Sequence, residues 1–296
     1  MERVPLAPDL SLSRLVCGLW RIGDGADTSP AHVAAKLEAC LAQGITSLDL
    51  ADIYGGYATE AILGDALRAR PGLRERMEIV TKCGIVAPVG RHAAAAVKHY
   101  DTSRAHIHAS VEQSLRDLGT DRIDLLLIHR PDPLMDHEET GQALDDLLAA
   151  GKVRAVGVSN FRPWDVELLE SRMAAPLVAN QIEISLARPA PFTDGDLAFH
   201  QRRQEAVMAW SPLGGGSLMT AKGPLGDLMD ELALRHGTDR AAIATAFLLA
   251  HPARILPVLG TTDPARIARI GAAARIRLER QDWFRLYQAA LGREVP

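Results

Sequence analysis

Four ionisable side chains stand where apolar runs of this 296-residue chain stop. SLDLADIY carries Asp49 and, five residues on, Tyr54; IVTKCG carries Lys82; DLLLIHRPD carries His129. Taken singly, each has a plain structural reading: a capping Asp, a hydrogen-bonded His, an exposed Lys. Lys82 resists that reading, because an ammonium at the end of an apolar strand needs a partner. Asp49 on an adjacent strand can supply it. Taken together, the four describe a proton-transfer centre. A Tyr has an ordinary pKa of about 10, and a nearby ammonium favours the phenolate and lowers it. Tyr54 is then expected to exchange a proton near neutral pH. His129 is expected to orient a substrate oxygen. None of the four carries a hydride, so a redox step needs a cofactor.

The elements that must position these residues form a regular alternation. Short apolar runs at 15–22, 47–51, 79–83, 123–129, 153–159, 178–184, 207–211 and 255–260 read as buried strands. Amphipathic stretches follow them. Val33, Leu37, Cys40 and Leu41 share one helical face, as do Ile107, Val111, Ser114, Leu115 and Leu118 before the stop at Gly119. Helices are also expected at 136–150, from Pro163, at 227–235, at 240–250 and at 263–274. About eight strands, each followed by helix, predict an α/β protein: a single (β/α)8 TIM barrel over residues 1–296, with a short hairpin at 4–12. A doubly wound open sheet is the alternative. In a barrel, strand ends converge on one mouth, which would gather the four residues. Three longer loops follow strands, at 85–101, 186–198 and 214–223, and are expected to shape cofactor and substrate sites.

No GxGxxG follows any strand, so a dinucleotide must be held in another way. The later strand ends offer one. Ser159 and Asn160 end the fifth strand, and Gln181 lies in the sixth; amides there can pair with a carboxamide. Trp210 presents a flat face for an aromatic ring. The small-residue turn after 255–260 leads into a helix N-terminus suited to phosphate.

Composition narrows the function classes. The net charge is −4 and the pI about 6.2, which predicts neither nucleic-acid nor anionic-membrane partners. Cys17, Cys40 and Cys83 form no CxxC pair and read as reduced, buried thiols of a cytoplasmic protein. MERVPLAPDL lacks the apolar core of a secretory leader, and no apolar run is long enough for a bilayer. His106 and His108, with His92 and His99 nearby, superficially suggest a metal-dependent hydrolase. Alternate residues on a helix point different ways, however, so no metal site is expected.

The stretches SLDLADIYGGYATE, IVTKCGI, IDLLLIHRPDP, GKVRAVGVSNF, ANQIEISL, AWSPLGGG and ILPVLGTTDPARI together resemble the aldo-keto reductase superfamily, in particular its bacterial oxidoreductases, over essentially the whole chain. The resemblance implies a (β/α)8 barrel that reduces aldehydes and ketones with NADPH. It puts the catalytic tetrad on Asp49, Tyr54, Lys82 and His129, choosing Asp49 over Asp52. It puts nicotinamide carboxamide contacts on Ser159, Asn160 and Gln181, and the stacking aromatic on Trp210. Ser211 and Leu213 fall beside the pyrophosphate. Gly260, Thr261, Thr262 and Arg266 fall around the adenosine 2′-phosphate. Gly18 and Trp20 fall near cofactor and substrate, with Tyr57 and the 85–101 loop as further pocket lining. Many members have Tyr where this chain has Trp210; some have Lys at Gly260 and an Asn near Ile270. The grip on the 2′-phosphate then rests on Arg266 and the helix N-terminus, which admits NADH as a second cofactor. The family default is a monomer acting on a small-molecule carbonyl. The competing function is a nicotinamide-binding regulatory module with little turnover.

Overall fold

The computed structural model describes residues 1–25, 27–261 and 263–295. Among them, eight parallel strands close a barrel in chain order: Val16–Gly18, Ser47–Asp49, Glu78–Cys83, Ile123–Ile128, Val153–Ser159, Ala179–Glu183, Ala206–Trp210 and Leu256–Leu259. The eighth strand pairs with the first, Val258 beside Val16 and Leu259 beside Cys17. That closure excludes the open sheet.

Alternation along each strand builds the interior. Val16, Val80, Leu125, Leu127, Ala155, Ala179, Ala206, Met208, Leu256 and Val258 pack together inside the barrel. Their neighbours Ile79, Leu126, Ile128 and Val207 face outward into the helix layer. At the bottom, the antiparallel hairpin Arg3–Ala7 and Leu10–Ser13 plugs the barrel with Val4, Leu10 and Leu12.

The first strand stops at Gly18, well short of the expected 22. Leu19 and Ile22 are still buried, but they pack beside helix residues from a turn in which the Ile22 amide donates to Leu19 O at 3.0 Å. Burial there reflects a loop folded inward rather than an extended chain.

Helices begin and end on chemistry visible in the sequence. Ser103 caps Arg104–Leu118, and Gly119 at φ 65° ends it. Asp136 accepts from two amides at the start of His137–Ala149. Helices outside the expected set include Thr59–Ala69, Asp196–Arg203, which begins inside the loop expected at 186–198, and Arg280–Leu291. Thr59–Ala69 follows the second strand, and Arg280–Leu291 packs Leu286 and Tyr287 against the barrel's outer layer. The three long loops are partly ordered by local structure. The first carries a small hairpin, Ile85–Val86 with His99–Tyr100, and a 3-10 turn at Gly90–His92. No helix among the described residues is long and apolar enough to cross a membrane.

Candidate active site

The inward positions of the strands continue upward from the apolar interior. Two residues beyond Val16, Ser47, Val80 and Leu127 come Gly18, Asp49, Lys82 and His129; beyond Gly157, Ala179, Met208 and Val258 come Ser159, Gln181, Trp210 and Gly260. A period of two therefore stacks a polar layer on the apolar one, at the C-terminal end of the barrel. One residue of each strand contributes to it.

Lys82 is fully buried and is the centre of this layer. Its ammonium donates to Asp49 Oδ1 at 2.8 Å, Asp49 Oδ2 at 2.9 Å and the Leu50 carbonyl at 2.6 Å, and reaches Tyr54 OH at 3.4 Å. Gln181 Nε2 donates to Asp49 Oδ1 at 2.6 Å. The His129 ring lies edge-on to Tyr54, with centroids 5.8 Å apart. Tyr54 heads the short turn Tyr54–Tyr57, in which Gly55, Gly56 and Tyr57 all take positive φ. That left-handed run aims the phenol back over the barrel, a path that two successive glycines make accessible.

The charges at this centre are set by burial and neighbours. Burial alone would lower the Lys82 pKa, but the Asp49 carboxylate and Tyr54 outweigh it, and the Lys82 pKa rises. The expected lowering of Tyr54 is not what the structure gives. Burial raises its pKa above the ordinary value, and the Asp49 charge reinforces this against the opposing pull of Lys82. Tyr54 is thus a phenol that keeps its proton at neutral pH. Burial, then the charges of Lys82, Arg130 and Lys98, hold the His129 pKa well below the usual imidazole range. His129 is therefore neutral, and its Nδ1 has no hydrogen-bond partner among the described residues.

The later strand ends form a second, linked group. Asn160 leaves the strand at φ 63°, which turns its amide toward the mouth. Its Nδ2 donates to Ser159 Oγ at 2.8 Å and to His129 O at 3.3 Å, and its Oδ1 accepts from Trp210 Nε1 at 2.9 Å. Ser159 Oγ donates to Gln181 O at 2.9 Å. Ser159, Asn160, Gln181 and Trp210 are thus one network, joined to Asp49 through Gln181. Much of its hydrogen-bonding capacity serves the network itself. Ser211 follows at φ 49°, then Leu213, partly buried between two apolar clusters. Gly18 and Gly260 meet at the seam of the barrel; a Cβ at Gly18 would lie 3.5 Å from the Gly260 Cα. Thr261 Oγ1 accepts from Asp263 N at 3.2 Å, and Arg266, largely exposed, lies 3.4 Å from Asp263. Thr262 lies outside the described residues. Trp20 stands at the rim, 57% exposed, with its ring 6.4 Å from Tyr54. Tyr57 does not line the pocket. It is buried, and its hydroxyl bridges Ile85 O and Ala87 N.

This layer fits a nicotinamide. An indole face and an amide network stand on one side of a proton-bearing phenol, and bare glycine backbone lies at the seam between the first and last strands. The His92 and His106 rings lie 6.0 Å apart, but the four histidines do not share one centre. His106 faces Asp101 at 3.8 Å, whereas His108 faces Asp146 at 3.8 Å. Among the described residues, no three His, Cys, Asp or Glu side chains are placed to hold a metal ion.

Two residues at the mouth escaped sequence reasoning. The charges of Arg130 and Lys98 both act on His129, and the Arg130 guanidinium lies 5.8 Å from the Trp210 ring centroid. Arg130 is adjacent to His129 in sequence, and that adjacency was the available signal. Lys98 comes from the 85–101 loop and had none.

A closed (β/α)8 barrel with a Lys–Asp–Tyr–His centre and an amide-and-indole platform defines a nicotinamide-using carbonyl reductase. The sequence profile described as the aldo/keto reductase family matches residues 14–290, and the chain belongs to that family. It is 62% identical over 296 residues to a 6-dehydroglucose reductase of Agrobacterium fabrum (strain C58), covering all of both chains. It is 43% identical over 301 residues to the oxidoreductase YdhF of Escherichia coli (strain K12), again over the whole of each. Among solved structures, an aldo/keto reductase of Klebsiella pneumoniae in complex with NADP and acetate superposes with a TM-score of 0.81 at 26% identity, over 97% of this chain and 95% of the other. The reaction is reduction of a carbonyl group with NAD(P)H.

Proposed function

We propose that Tyr54 is the proton donor of an NADPH-dependent reduction of a polar, sugar-derived aldehyde of the 6-dehydroglucose type. The observation that carries the proton assignment is the 3.4 Å approach of the Lys82 ammonium to a phenol that burial keeps protonated. Lys82 stabilises the phenolate that forms when the proton leaves, and Asp49 keeps Lys82 charged and in place. Neutral His129 donates to the substrate oxygen, so the carbonyl is held between His129 and Tyr54. The nicotinamide, when bound, supplies the hydride. Trp210 offers its ring face, and Ser159, Asn160 and Gln181 retain the acceptor capacity for a carboxamide. Gly18, Ser211, Leu213, Gly260, Thr261, Thr262 and Arg266 are the remaining cofactor contacts of this reading. Arg266 favours NADPH, with NADH as the weaker alternative.

The substrate reading rests on 62% identity with the Agrobacterium enzyme across the whole chain. Arg130 and Lys98 support it, since both are cationic donors at the mouth able to bind hydroxyl groups. Trp20 at the rim completes the pocket. We read residues 1–296 as one domain and the protein as a monomer. The buried free thiols of Cys17, Cys40 and Cys83 support a reducing, cytoplasmic setting.

The test is NADPH oxidation with 6-dehydroglucose and with 4-nitrobenzaldehyde, repeated with NADH. Tyr54→Phe is expected to lower kcat by about 10²–10⁴, the usual range for a general acid, with NADPH affinity retained. Equal rates for wild type and Tyr54→Phe overturn the proton assignment. Turnover of 4-nitrobenzaldehyde without turnover of 6-dehydroglucose overturns the substrate reading alone.

A further inference from the structure

Behind Lys82, on the outer side of the barrel wall, lies a carboxylate that the reaction does not use. Asp52 is 1% exposed, and neither of its oxygens has a hydrogen-bond partner among the described residues. A carboxyl group buried in this way is costly, and such groups are uncommon in folded proteins. Its nearest cation is Arg91, at 3.7 Å. Arg91 belongs to the 3-10 turn in the loop between Val86 and His99, the loop that carries Lys98, whose charge acts on His129.

That loop has little else to hold it. Val89, Val97 and Tyr100 are exposed, and its apolar anchorage is confined to Ile85 and Val86 at the hairpin base. Its other attachments run to the turn of Tyr54, through Arg91, or through His92, whose ring lies 4.9 Å from that of Tyr57 and 6.0 Å from that of His106. The Tyr57 hydroxyl bridges Ile85 O and Ala87 N. A Cβ at Gly90 would overlap the carbonyl oxygen of Gly56, so the two backbones are in direct contact. The Arg91 guanidinium stacks 4.7 Å from the Tyr57 ring centroid and reaches Asp117 on Arg104–Leu118 at 3.3 Å. One guanidinium thus touches the catalytic turn, the buried carboxylate and a barrel helix.

We propose that Arg91 is a positioning residue for the reduction: seated on Asp52, Asp117 and Tyr57, it holds the Val86–His99 loop, and Lys98 with it, against the turn that carries Tyr54. This rests on the reading of the Tyr54 pocket as the substrate site. It adds that the pocket wall is fastened by an ion pair and a stacked ring rather than by an apolar core. A planar guanidinium suits the role because it can stack and bond in its plane together, which a Lys cannot.

The charge on Asp52 makes the clamp separable from general stability. Burial, reinforced by the carboxylate of Glu60 on Thr59–Ala69, raises the Asp52 pKa to about 8 against the opposing charges of Arg91 and Lys82. Asp52 is mostly neutral at pH 7 and charged at pH 9. Tyr54 keeps its proton at both.

Steady-state kinetics at pH 7 and pH 9 test the proposal, with 6-dehydroglucose, or with 4-nitrobenzaldehyde should the substrate reading fail. Arg91→Gln is expected to raise KM about tenfold with kcat changed less than about twofold, the pattern of lost ground-state positioning. Arg91→Lys is expected to recover part of that KM. Asp52→Asn is expected to raise KM about threefold at pH 9 and to leave it unchanged at pH 7, with no further loss in the double variant with Arg91→Gln. Hydrogen exchange across residues 87–98 should quicken in Arg91→Gln while the barrel strands keep their protection. Unchanged KM and unchanged loop exchange in Arg91→Gln overturn the proposal. So does a loss confined to kcat, or an Asp52→Asn effect equal at both pH values.

Discussion

At the bottom of the barrel, Asp124 is buried and fully met. It accepts from the Ile79 amide at 2.9 Å and pairs with Arg74 and Arg154, each at 2.9 Å. Beside it, Glu78 accepts from Thr46, Ser47 and Arg3. At the C-terminal end, Asp52 outside the wall has no hydrogen-bond partner for either oxygen, and His129 at the mouth none for Nδ1, among the described residues. The two ends share strands, helices and depth of burial, yet only one satisfies its polar groups. The bottom uses charge to seal the barrel. The mouth keeps hydrogen-bonding capacity in reserve, and Lys82 is the point where the two styles meet: fully paired, yet in contact with the Tyr54 phenol.

The contrast can be broken most forcefully at Lys82. Lys82→Met keeps the volume but leaves Asp49 buried without its cation. A loss of about 3–5 kcal/mol in urea unfolding is expected, together with kcat reduced by about 10³ or more. A stable Lys82→Met with wild-type kcat would remove the distinction between the two ends. Asp124→Ala should cost a comparable stability, about 3 kcal/mol, because two guanidinium groups and an amide lose their acceptor. Here kcat and KM should stay within about twofold of wild type at a temperature where the variant is folded. Loss of activity in that folded variant would mean that the bottom also serves the reaction.

A smaller effect separates Asp52 from Asp124. The Asp52 pKa is raised to about 8 in the folded chain, above its ordinary carboxylate value. The folded state therefore holds the proton through the intervening range. Stability from this group is complete below the unfolded pKa and declines until pH passes about 8. Asp52→Asn removes that decline. Its melting temperature should match wild type near pH 4 and exceed it by several degrees above pH 8, as for a gain on the order of a few kcal/mol. The opposite trend in thermal scans would show that Asp52 is stabilised as an anion. The smallest expected effect concerns Tyr54. Burial raises its pKa above the ordinary value. The pH profile of kcat for reduction should thus stay flat through pH 9 and fall only above about 10. A fall centred near neutrality would mean that Lys82 dominates Tyr54 after all.

Much of this architecture was legible in the chain. The strand at 153–159 is reproduced to the residue, and the other strand expectations after the first differ only at their ends. Buried strands announce themselves by apolar, β-branched runs. The first strand misled because Leu19 and Ile22 are as buried in a turn as they would be in a strand, and an apolar letter does not record backbone direction. The helix Thr59–Ala69 went unrecognised next to two glycines, and Arg280–Leu291 lay beyond the last strand, where no barrel rhythm prompts a search. Within the site, Asp49, Lys82 and His129 were readable because a polar residue at the end of an apolar run is conspicuous. Lys98 was not, because it lies in a loop of exposed residues.

By itself, the order of residues determined the number of strands, the parity that turns Asp49, Lys82, Gln181 and Trp210 inward, and the collection of acid, base and amide groups at one mouth. These follow from short-range rules: a period of two in strands, caps and glycine stops in helices. Tertiary structure decided the rest. It put Gln181 on Asp49 across 132 positions of chain, set Arg91 beside Asp52, and fixed how deeply Tyr54 is buried. The sign of the Tyr54 shift depends on that depth. A neighbouring ammonium can be read from a sequence, but the competing loss of water exists only once the barrel has closed around the phenol.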